Sequence, residues 1–328
     1  MSRMLKTDAR IAVLIPCYQE EKTIGKVVRD FKQVLPEAEI YVYDNNCTDR
    51  TAEIALAAGA IVRREKRQGK GYVVASMFEQ VDADIYVMVD GDDTYDAKAV
   101  ELLLQPILKG DADMTVAGRL DTFAHKSFRN FHIFGNKLVC AIINWMFHSD
   151  IHDIFSGYRA FTREAVKLIP VTAIGFDVET ELTLQALYRG LVIKEVQAAY
   201  GERPEGSFSK LRTGSDGLLV LLRLFMMIRS YKPLTLFGGL SVLLMLLGLL
   251  VGIRPVHEYL ASHYVYAVPS AILASSLVVL SFFSLGLGLI LNSMNLRLLE
   301  VEKLVRKWEV KEAAAVTKSP TEKSKSEL

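Results

Sequence analysis

The feature that most constrains this fold is a pair of long stretches without a charged residue, Pro233–Ile253 and Tyr264–Ser293. Each is long enough to cross the hydrocarbon core of a bilayer, which takes about 20 residues of α-helix. We therefore predict two transmembrane helices joined by a short loop, Arg254–His263. The alternative is a buried helical hairpin of a soluble protein, and the length and basic flanks of the two stretches favour the membrane.

Basic residues on both sides of these stretches predict their orientation. Three precede the first stretch and four follow the second: Arg223, Arg229, Lys232, Arg297, Lys303, Arg306 and Lys307. Because cytoplasmic flanks are rich in lysine and arginine, we expect both ends of the pair in the cytoplasm. The polar start of the chain precedes only a short apolar run, so we predict no secretory signal. The expected location is the cytoplasmic (inner) membrane, multi-pass, with the N-terminal part facing the cytoplasm, and two exposed spans would allow a homo-oligomer.

Composition divides the chain into four parts. We predict a cytoplasmic domain, a juxtamembrane interfacial segment, two spans, and a cytoplasmic helix with a tail: residues 1–212, 213–232, 233–293 and 294–328. Leu218–Ile228 is apolar except for Arg223 and fits an interfacial helix or a core helix equally well. Asn295–Val310 carries the charge pairs of an exposed helix, and Thr317–Leu328 has the composition of a disordered tail.

The first 200 or so residues alternate short apolar runs with amphipathic segments. Five runs predict buried strands: Ile11–Ile15, Ile40–Tyr43, Ala60–Arg63, Ile85–Val89 and Met114–Ala117. The segments between them predict helices: Thr23–Leu35, Thr48–Ala58, Gly71–Gln80 and Ala97–Leu108. This alternation is typical of an α/β fold with a mainly parallel sheet. Ligands of such sheets bind at the carboxyl ends of the strands, so the residues after each strand are the site candidates.

An acidic turn follows the fourth strand and is the strongest local signal. Asp90 and Asp92 are separated by a single glycine. Two carboxylates on one turn can share Mg²⁺ or Mn²⁺ and leave coordination positions for substrate phosphates. Aspartates also occupy turns that bind nothing. The position at a strand end, in register with other polar strand ends, favours the metal site.

The first two strands also end in residues suited to a nucleoside. Pro16 ends the first strand, and the following turn presents Tyr18 and Glu20. The ring of Tyr18 can stack on a base, and the carboxylate of Glu20 can accept hydrogen bonds from base or ribose. Asp44, at the tip of the second strand, could likewise accept hydrogen bonds from base or ribose. Each of these residues also has a purely structural interpretation, as a turn or cap residue. The residues that we expect to cap the next helix are Thr48 or Asp49.

Composition and spacing exclude several other classes of protein. A net charge of +1 gives no indication of nucleic-acid binding. Three widely spaced cysteines, Cys17, Cys47 and Cys140, predict neither a zinc site nor a disulfide framework. A nucleotidyltransferase would need a glycine-rich loop after the first strand, and Pro16–Thr23 contains no glycine.

Six motifs, in this order, resemble those of glycosyltransferase family 2, whose members have the Rossmann-like GT-A fold. They are Pro16-x-Tyr18-x-Glu20, Asp44–Thr51, Asp90-Gly-Asp92, Asp153–Arg159, Phe176–Glu179 and Arg203–Lys210. Asn45 stands where the second motif of the family has another aspartate. The last two motifs are most similar to the branch that contains dolichyl-phosphate mannose synthase and bacterial prenyl-phosphate glucosyltransferases.

This resemblance implies transfer of a sugar from a nucleotide-sugar to a polyprenyl phosphate, undecaprenyl or dolichyl, with inversion at the anomeric carbon. The residues expected to bind the nucleotide-sugar are Pro16, Tyr18, Glu20, Asp44, Asp90 and Arg203. Those expected to hold Mg²⁺ or Mn²⁺ are Asp90, Asp92 and Thr94, where Thr94 replaces a glutamine of the branch. The expected catalytic residues are Asp92, Arg203, Lys210 and Asp153, with Asp153 either a base or an orienting group. The expected ligands of the acceptor phosphate are Arg119 and Arg129.

Two alternatives remain open from the sequence. One is a membrane glycosyltransferase with another lipid or a polysaccharide as acceptor, although the Q-x-x-R-W pattern of processive synthases is absent from this sequence. The other is a non-catalytic, membrane-anchored protein that binds nucleotide-sugars. Both Asp90 and Asp92 are present together with Arg203, and this combination favours the enzyme.

Overall fold

The structure, a computed structural model, describes residues 9–119, 129–173, 175, 178–201, 225–226 and 228–318. The chain divides into two compact units, Met1–Leu224 and Phe225–Leu328. The first unit contains a seven-stranded sheet with helices, and the second contains two long helices.

The sheet of the first unit is mixed but mainly parallel. Its strands are β1 Ile11–Cys17, β2 Glu39–Asp44, β3 Ile61–Arg64, β4 Ile85–Met88, β5 Met114–Gly118, β6 Arg159–Thr162 and β7 Ile193–Gln197. They lie in the order β3-β2-β1-β4-β6-β5-β7. Strand β1 is parallel to β2 and β4, whereas β6 is antiparallel to both of its neighbours, β4 and β5. The predicted α/β class and the five predicted strands are confirmed; β6 and β7 were not predicted as strands.

Helices cover both faces of the sheet. They are α1 Ile24–Val34, α2 Thr51–Ala57, α3 Lys70–Gln80, α4 Val100–Leu108, α5 Arg129–Phe147, α6 Arg163–Leu168 and α7 Val178–Tyr188. Along β1, Val13 and Ile15 belong to one buried cluster and Ala12 and Leu14 to another. Burial on both faces explains why this strand appears in the sequence as an uninterrupted apolar run. The predicted helix at Ala97–Leu108 is a 3₁₀ turn that leads into α4.

The second unit is a pair of long apolar helices, α8 Pro233–Ser262 and α9 Val268–Lys318. Their most apolar 18-residue windows have mean hydropathies of 2.5 and 2.2, and only 11% and 22% of these windows is buried within the protein. The helices pack closely through small residues. A Cβ on Gly248 would stand 3.0 Å from Val278 Cγ2, and Ser284 Oγ donates to the carbonyl of Phe237 at 2.8 Å. The remaining apolar surface is uncovered, as expected of helices that span a bilayer.

Three boundaries in this unit differ from the sequence-based expectation. Helix α9 begins at Val268 rather than at Tyr264, and the predicted loop Arg254–His263 is helical as far as Ser262. Helix α8 continues beyond Ile253 to Ser262, where His263 adopts a left-handed conformation and its N–H bonds to Tyr259. Helix α9 continues beyond Ser293, so the helix expected at Asn295–Val310 is an extension of the second span. Both helices can extend past their apolar stretches into charged sequence, because the backbone hydrogen bonds of a helix also form in water. The carboxylate of Glu258 closes the turn by accepting the N–H groups of 266 and 267 at 3.0 and 2.8 Å.

Parts of the predicted organisation lie outside the described residues. These are most of the juxtamembrane segment and the end of the tail, residues 213–224 and 319–328. The predicted four-part division therefore stays a prediction, and the structural boundary between units falls at 224/225.

Candidate active site

The loops after β1 and β2 lie side by side and are joined by hydrogen bonds. The amide of Gln19 donates to Thr48 Oγ1 at 2.7 Å, and its oxygen accepts the N–H groups of Thr48 and Asp49 at 3.2 Å each. The N–H of Glu20 donates to Thr51 Oγ1 at 2.9 Å. Asp49 accepts the N–H of Thr51, the first residue of α2, at 3.1 Å. The N-cap residue of α2 is Arg50, without a capping side chain, so neither expected residue occupies the cap, and Asp49 contacts the first helical residue instead. The two loops form one continuous surface.

Four predicted nucleoside-binding residues meet on this surface. Adjacent strands β1 and β2 bring Pro16 and Asp44 to the same edge, and the Tyr18 side chain is exposed there. Glu20 and Asp44 are buried, and Asp44 Oδ1 accepts the N–H of Cys47 at 2.8 Å. Asp44 thus helps to form its own loop. The nucleoside roles of all four residues stay predictions.

The acidic turn Asp90–Asp92 follows β4 and lies against the end of β1. A Cβ on Gly91 would stand only 2.8 Å from Cys17 Sγ, so glycine is needed for this approach. Asp92 is buried, and its Oδ1 accepts the hydroxyl of Thr94 at 2.6 Å. Thr94 therefore orients Asp92 through its hydroxyl proton. Its predicted role as a metal ligand stays a prediction.

Gly157 lets the carboxylate of Asp90 approach the loop before β6. A Cβ on this glycine would stand 2.9 Å from Asp90 Cγ and closer still to Oδ2. No other residue type fits without moving the carboxylate. The acidic turn and the Ser-Gly step of the fourth motif are therefore parts of one site.

Lys70 is a site residue that the sequence analysis missed. As the first residue of α3 it places Nζ 2.5 Å from Asp90 Oδ1 and 2.5 Å from Glu179 Oε1. Burial alone would lower the pKa of Lys70, but the two carboxylates outweigh it and raise the pKa, so the ammonium stays charged. The available signal was a lysine between two glycines, Gly69 and Gly71, shortly after the third strand.

Arg119 and Asp153, predicted to have separate roles, form an ion pair. Arg119 Nε donates to Asp153 Oδ2 at 2.8 Å and its NH2 group donates to Oδ1 at 3.0 Å. Such bidentate pairs fix both side chains. The guanidinium also lies over the ring of Tyr200, 5.5 Å from the centroid. Asp153 Oδ1 also accepts the backbone N–H of Phe155 at 3.2 Å, so this carboxylate is bonded to the loop backbone as well as to Arg119.

Arg159 instead supports the loop that carries Gly157. It is fully buried and donates at 2.8 Å to the carbonyls of Ser156 and Ile154. On the other side of the loop, the hydroxyl of Tyr95 accepts the N–H of Gly157 at 3.1 Å. Burial raises the pKa of Tyr95, so this hydroxyl stays neutral. The fourth motif is thus held from both sides.

Three predicted residues cannot be placed relative to this site. Arg203 and Lys210 lie outside the described residues. Arg129 is the first residue of α5, and its side chain is likewise outside the described part. Their roles stay predictions.

The donor set around the acidic turn suits a hard divalent cation. Within the described ranges, no group of three or more His, Cys, Asp or Glu side chains is arranged to hold a metal. The protein would then contribute the carboxylates of Asp90 and Asp92. Mg²⁺ is commonly held by one or two carboxylates, with substrate phosphates and water completing its shell. The residues present therefore fit an open Mg²⁺ or Mn²⁺ site.

A mainly parallel sheet with a paired-aspartate turn at its carboxyl edge is the arrangement expected of a glycosyltransferase with the GT-A fold. Comparison with known proteins gives the same class. The sequence model of glycosyl transferase family 2 matches residues 12–169. Glycosyltransferase AglJ of Haloferax volcanii is 32% identical over 270 residues, which are 81% of this chain and 88% of that protein. The dolichyl-phosphate hexose transferase of the same organism is 30% identical over 194 residues, 59% of this chain and 83% of that protein.

A solved structure supports the fold. The chain is similar to glucosyl-3-phosphoglycerate synthase from Mycobacterium tuberculosis in complex with Mn²⁺ and UDP-glucose, with a TM-score of 0.56 and 23% identity. The similarity covers 67% of this chain and 79% of that structure. The chain belongs to glycosyltransferase family 2.

Proposed function

We propose that this glycosyltransferase moves a sugar from a nucleotide-sugar to a polyprenyl phosphate at the cytoplasmic face of a membrane. The observation that carries the proposal is the presence, in one chain, of a two-aspartate turn at the carboxyl edge of the sheet and two apolar helices whose surface is uncovered. A lipid acceptor with an anionic head matches this combination. The dolichyl-phosphate hexose transferase named above supports the same acceptor class.

On the donor side, the chain has to balance the charge of the diphosphate. Asp90 and Asp92 would hold Mg²⁺ or Mn²⁺, which when bound neutralises phosphate charge as a Lewis acid. Lys70 already lies beside Asp90 and is the nearest described cation to this carboxylate, at 2.5 Å. Its ammonium can bind a phosphate oxygen once a donor competes for it. The predicted Arg203 and Lys210 would add charge as the leaving group departs.

On the acceptor side, no protein nucleophile is required. An oxygen of the acceptor phosphate forms the new bond to C1 of the sugar, while the bond from C1 to the donor diphosphate breaks and its electron pair leaves with the nucleoside diphosphate. A phosphate monoester has its second pKa near about 6, so the attacking oxygen needs no base. Asp153 is then an orienting residue for Arg119, consistent with their bidentate ion pair. Arg119, with Arg129, would bind the acceptor phosphate.

The proposed orientation places both termini in the cytoplasm and the turn at 263–267 outside. A protease site inserted after His263 should be cleaved from outside intact cells, and tags at either terminus should be protected. The reverse pattern would contradict the topology.

The function is tested with purified full-length protein in detergent. Radiolabelled nucleotide-sugars are screened against undecaprenyl and dolichyl phosphate, with Mg²⁺, Mn²⁺ or excess chelator. We expect a lipid-linked product that depends on the metal and whose anomeric configuration is inverted. Transfer to diacylglycerol or a polysaccharide instead would establish the alternative acceptor, and binding of donor without transfer to any acceptor would establish a binding protein.

A further inference from the structure

Asn45 joins the loop after β2 to the loop Glu65–Gly69, which leads from β3 into α3. Its amide nitrogen donates to the carbonyl of Arg67 at 2.7 Å and to that of Glu65 at 3.2 Å. Its oxygen accepts the N–H of Gly69 at 2.8 Å and the side-chain amide of Gln68 at 3.2 Å. The side chain is almost completely buried, at 3% exposure for the residue. Both halves of one amide are therefore used to shape one loop.

This loop ends directly at Lys70. Gly69, whose N–H bonds to Asn45, has φ +139°, a conformation that favours glycine, and α3 begins at the next residue. A shift of Gly69 moves the backbone of Lys70. The Nζ of Lys70 lies within hydrogen-bonding distance of two carboxylates from other parts of the chain, those of Asp90 and Glu179.

The amide is the functional group that this position requires. An aspartate there would keep the acceptor for Gly69 but would lose both donors, and its charge would face the carbonyl oxygens of Glu65 and Arg67. Buried acceptors left without donors destabilise the folded loop. The family motif has an aspartate at this position. In this chain the hydrogen bonds to the loop Glu65–Gly69 explain why an asparagine stands there instead.

We propose that Asn45 is a positioning residue that fixes the loop Glu65–Gly69 and thereby sets Lys70 on the donor side of the site. The proposal rests on the proposed function for the role of Lys70. Its geometric half, the hold of Asn45 on Gly69, is independent of any substrate.

The test compares Asn45→Asp with Asn46→Asp in the full-length protein. Asn46 is the matched control, because its amide also donates to a carbonyl of this loop, that of Lys66 at 2.7 Å, but from the exposed rim. Asn45→Ala is made as well, since it removes the acceptor of Gly69 together with both donors and adds no charge. Hydrogen exchange of peptides containing Gly69 and Lys70 is measured without substrate, and kcat and KM for the donor are measured separately.

We expect amide exchange at 69–70 to accelerate by about tenfold or more in Asn45→Ala, by less in Asn45→Asp, which keeps the acceptor of Gly69, and to change little in the control. In both Asn45 variants, kcat/KM for sugar transfer should fall by about tenfold or more. Adding Lys70→Met to Asn45→Ala should cost less than it costs in the wild type, because residues that act through one another are not additive.

Unchanged exchange at 69–70 in Asn45→Ala would overturn the geometric half. Fully additive losses with Lys70→Met would show a purely structural role for Asn45 and overturn the proposal. If the wild type transferred no sugar to polyprenyl phosphate while exchange behaved as expected, the proposed function would fail and the positioning by Asn45 would stand.

Discussion

Gly157→Ala should separate the activity of this enzyme from its stability. The added Cβ would stand 2.9 Å from Asp90 Cγ and closer to Oδ2, whereas ordinary contacts begin near 3.4 Å. To restore an ordinary contact, the Asp90 carboxylate has to move away by about 1 Å. A displacement of this size at a reacting centre can cost about a hundredfold in rate. The moving atoms are the end of a side chain, so we expect the melting temperature to fall by only a few degrees.

The assay is metal-dependent sugar transfer by the purified protein, with Mn²⁺ affinity measured in parallel by calorimetry. Gly157→Ala should lower kcat/KM by about a hundredfold and weaken Mn²⁺ binding. Gly135→Ala is the matched control: nothing lies within 4 Å of a Cβ there, and the residue is in α5. Normal activity and metal affinity in Gly157→Ala would show that the position of the Asp90 carboxylate is not critical, and would refute the reasoning.

Three further predictions concern single side chains. Asp92→Asn should reduce transfer by at least about tenfold while the protein stays folded, and full wild-type activity in excess chelator would contradict the metal role. Arg203→Ala should lower kcat by about a hundredfold with a smaller change in donor KM, and Arg203→Lys should recover part of it; a change in KM alone would make the residue a binding element. Hydrogen bonds from Arg67 hold the pKa of Glu65 down at about 2, against an ordinary 4.5. The stability that Glu65 adds over Glu65→Gln should therefore be complete above about pH 4.5 and disappear as the pH falls towards 2, as measured by melting temperatures; a difference independent of pH would contradict this ion pair.

The parts of the fold that the sequence predicted are those with a local signal. Strands β1 and β4 are buried on both faces and therefore appear as apolar runs such as Ile11–Ile15. Strand β6, Arg159–Thr162, has only four residues, begins with a buried arginine and carries no such run. Its position between β4 and β5 depends on pairing across the sheet, which no periodicity encodes.

The site divides in the same way. Asp90, Asp92 and Glu20 follow strands and could be found by position. Lys70 has only a weak local signal, the glycine on either side, because its contact with Glu179 joins residues more than a hundred positions apart. The ion pair of Asp153 has no local signal either, since the nearest arginine in the sequence, Arg159, supports the loop backbone and the distant Arg119 forms the pair.

The insertion of β6 between β4 and β5 also imposes an order on assembly during synthesis. Both neighbours of β5 in the sheet, β6 and β7, are made after it, so Met114–Gly118 waits without a strand partner until Arg159 has been added. The acidic turn is synthesised before Gly157 and Glu179, which contact its surroundings. A partial chain that ends before these two residues therefore cannot contain the complete site. The last of the described strands ends at Gln197, before the long apolar helix that begins at Pro233. Because domains fold as units from the N-terminus, all seven described strands of the sheet have been made before the ribosome produces the first of the two long apolar helices.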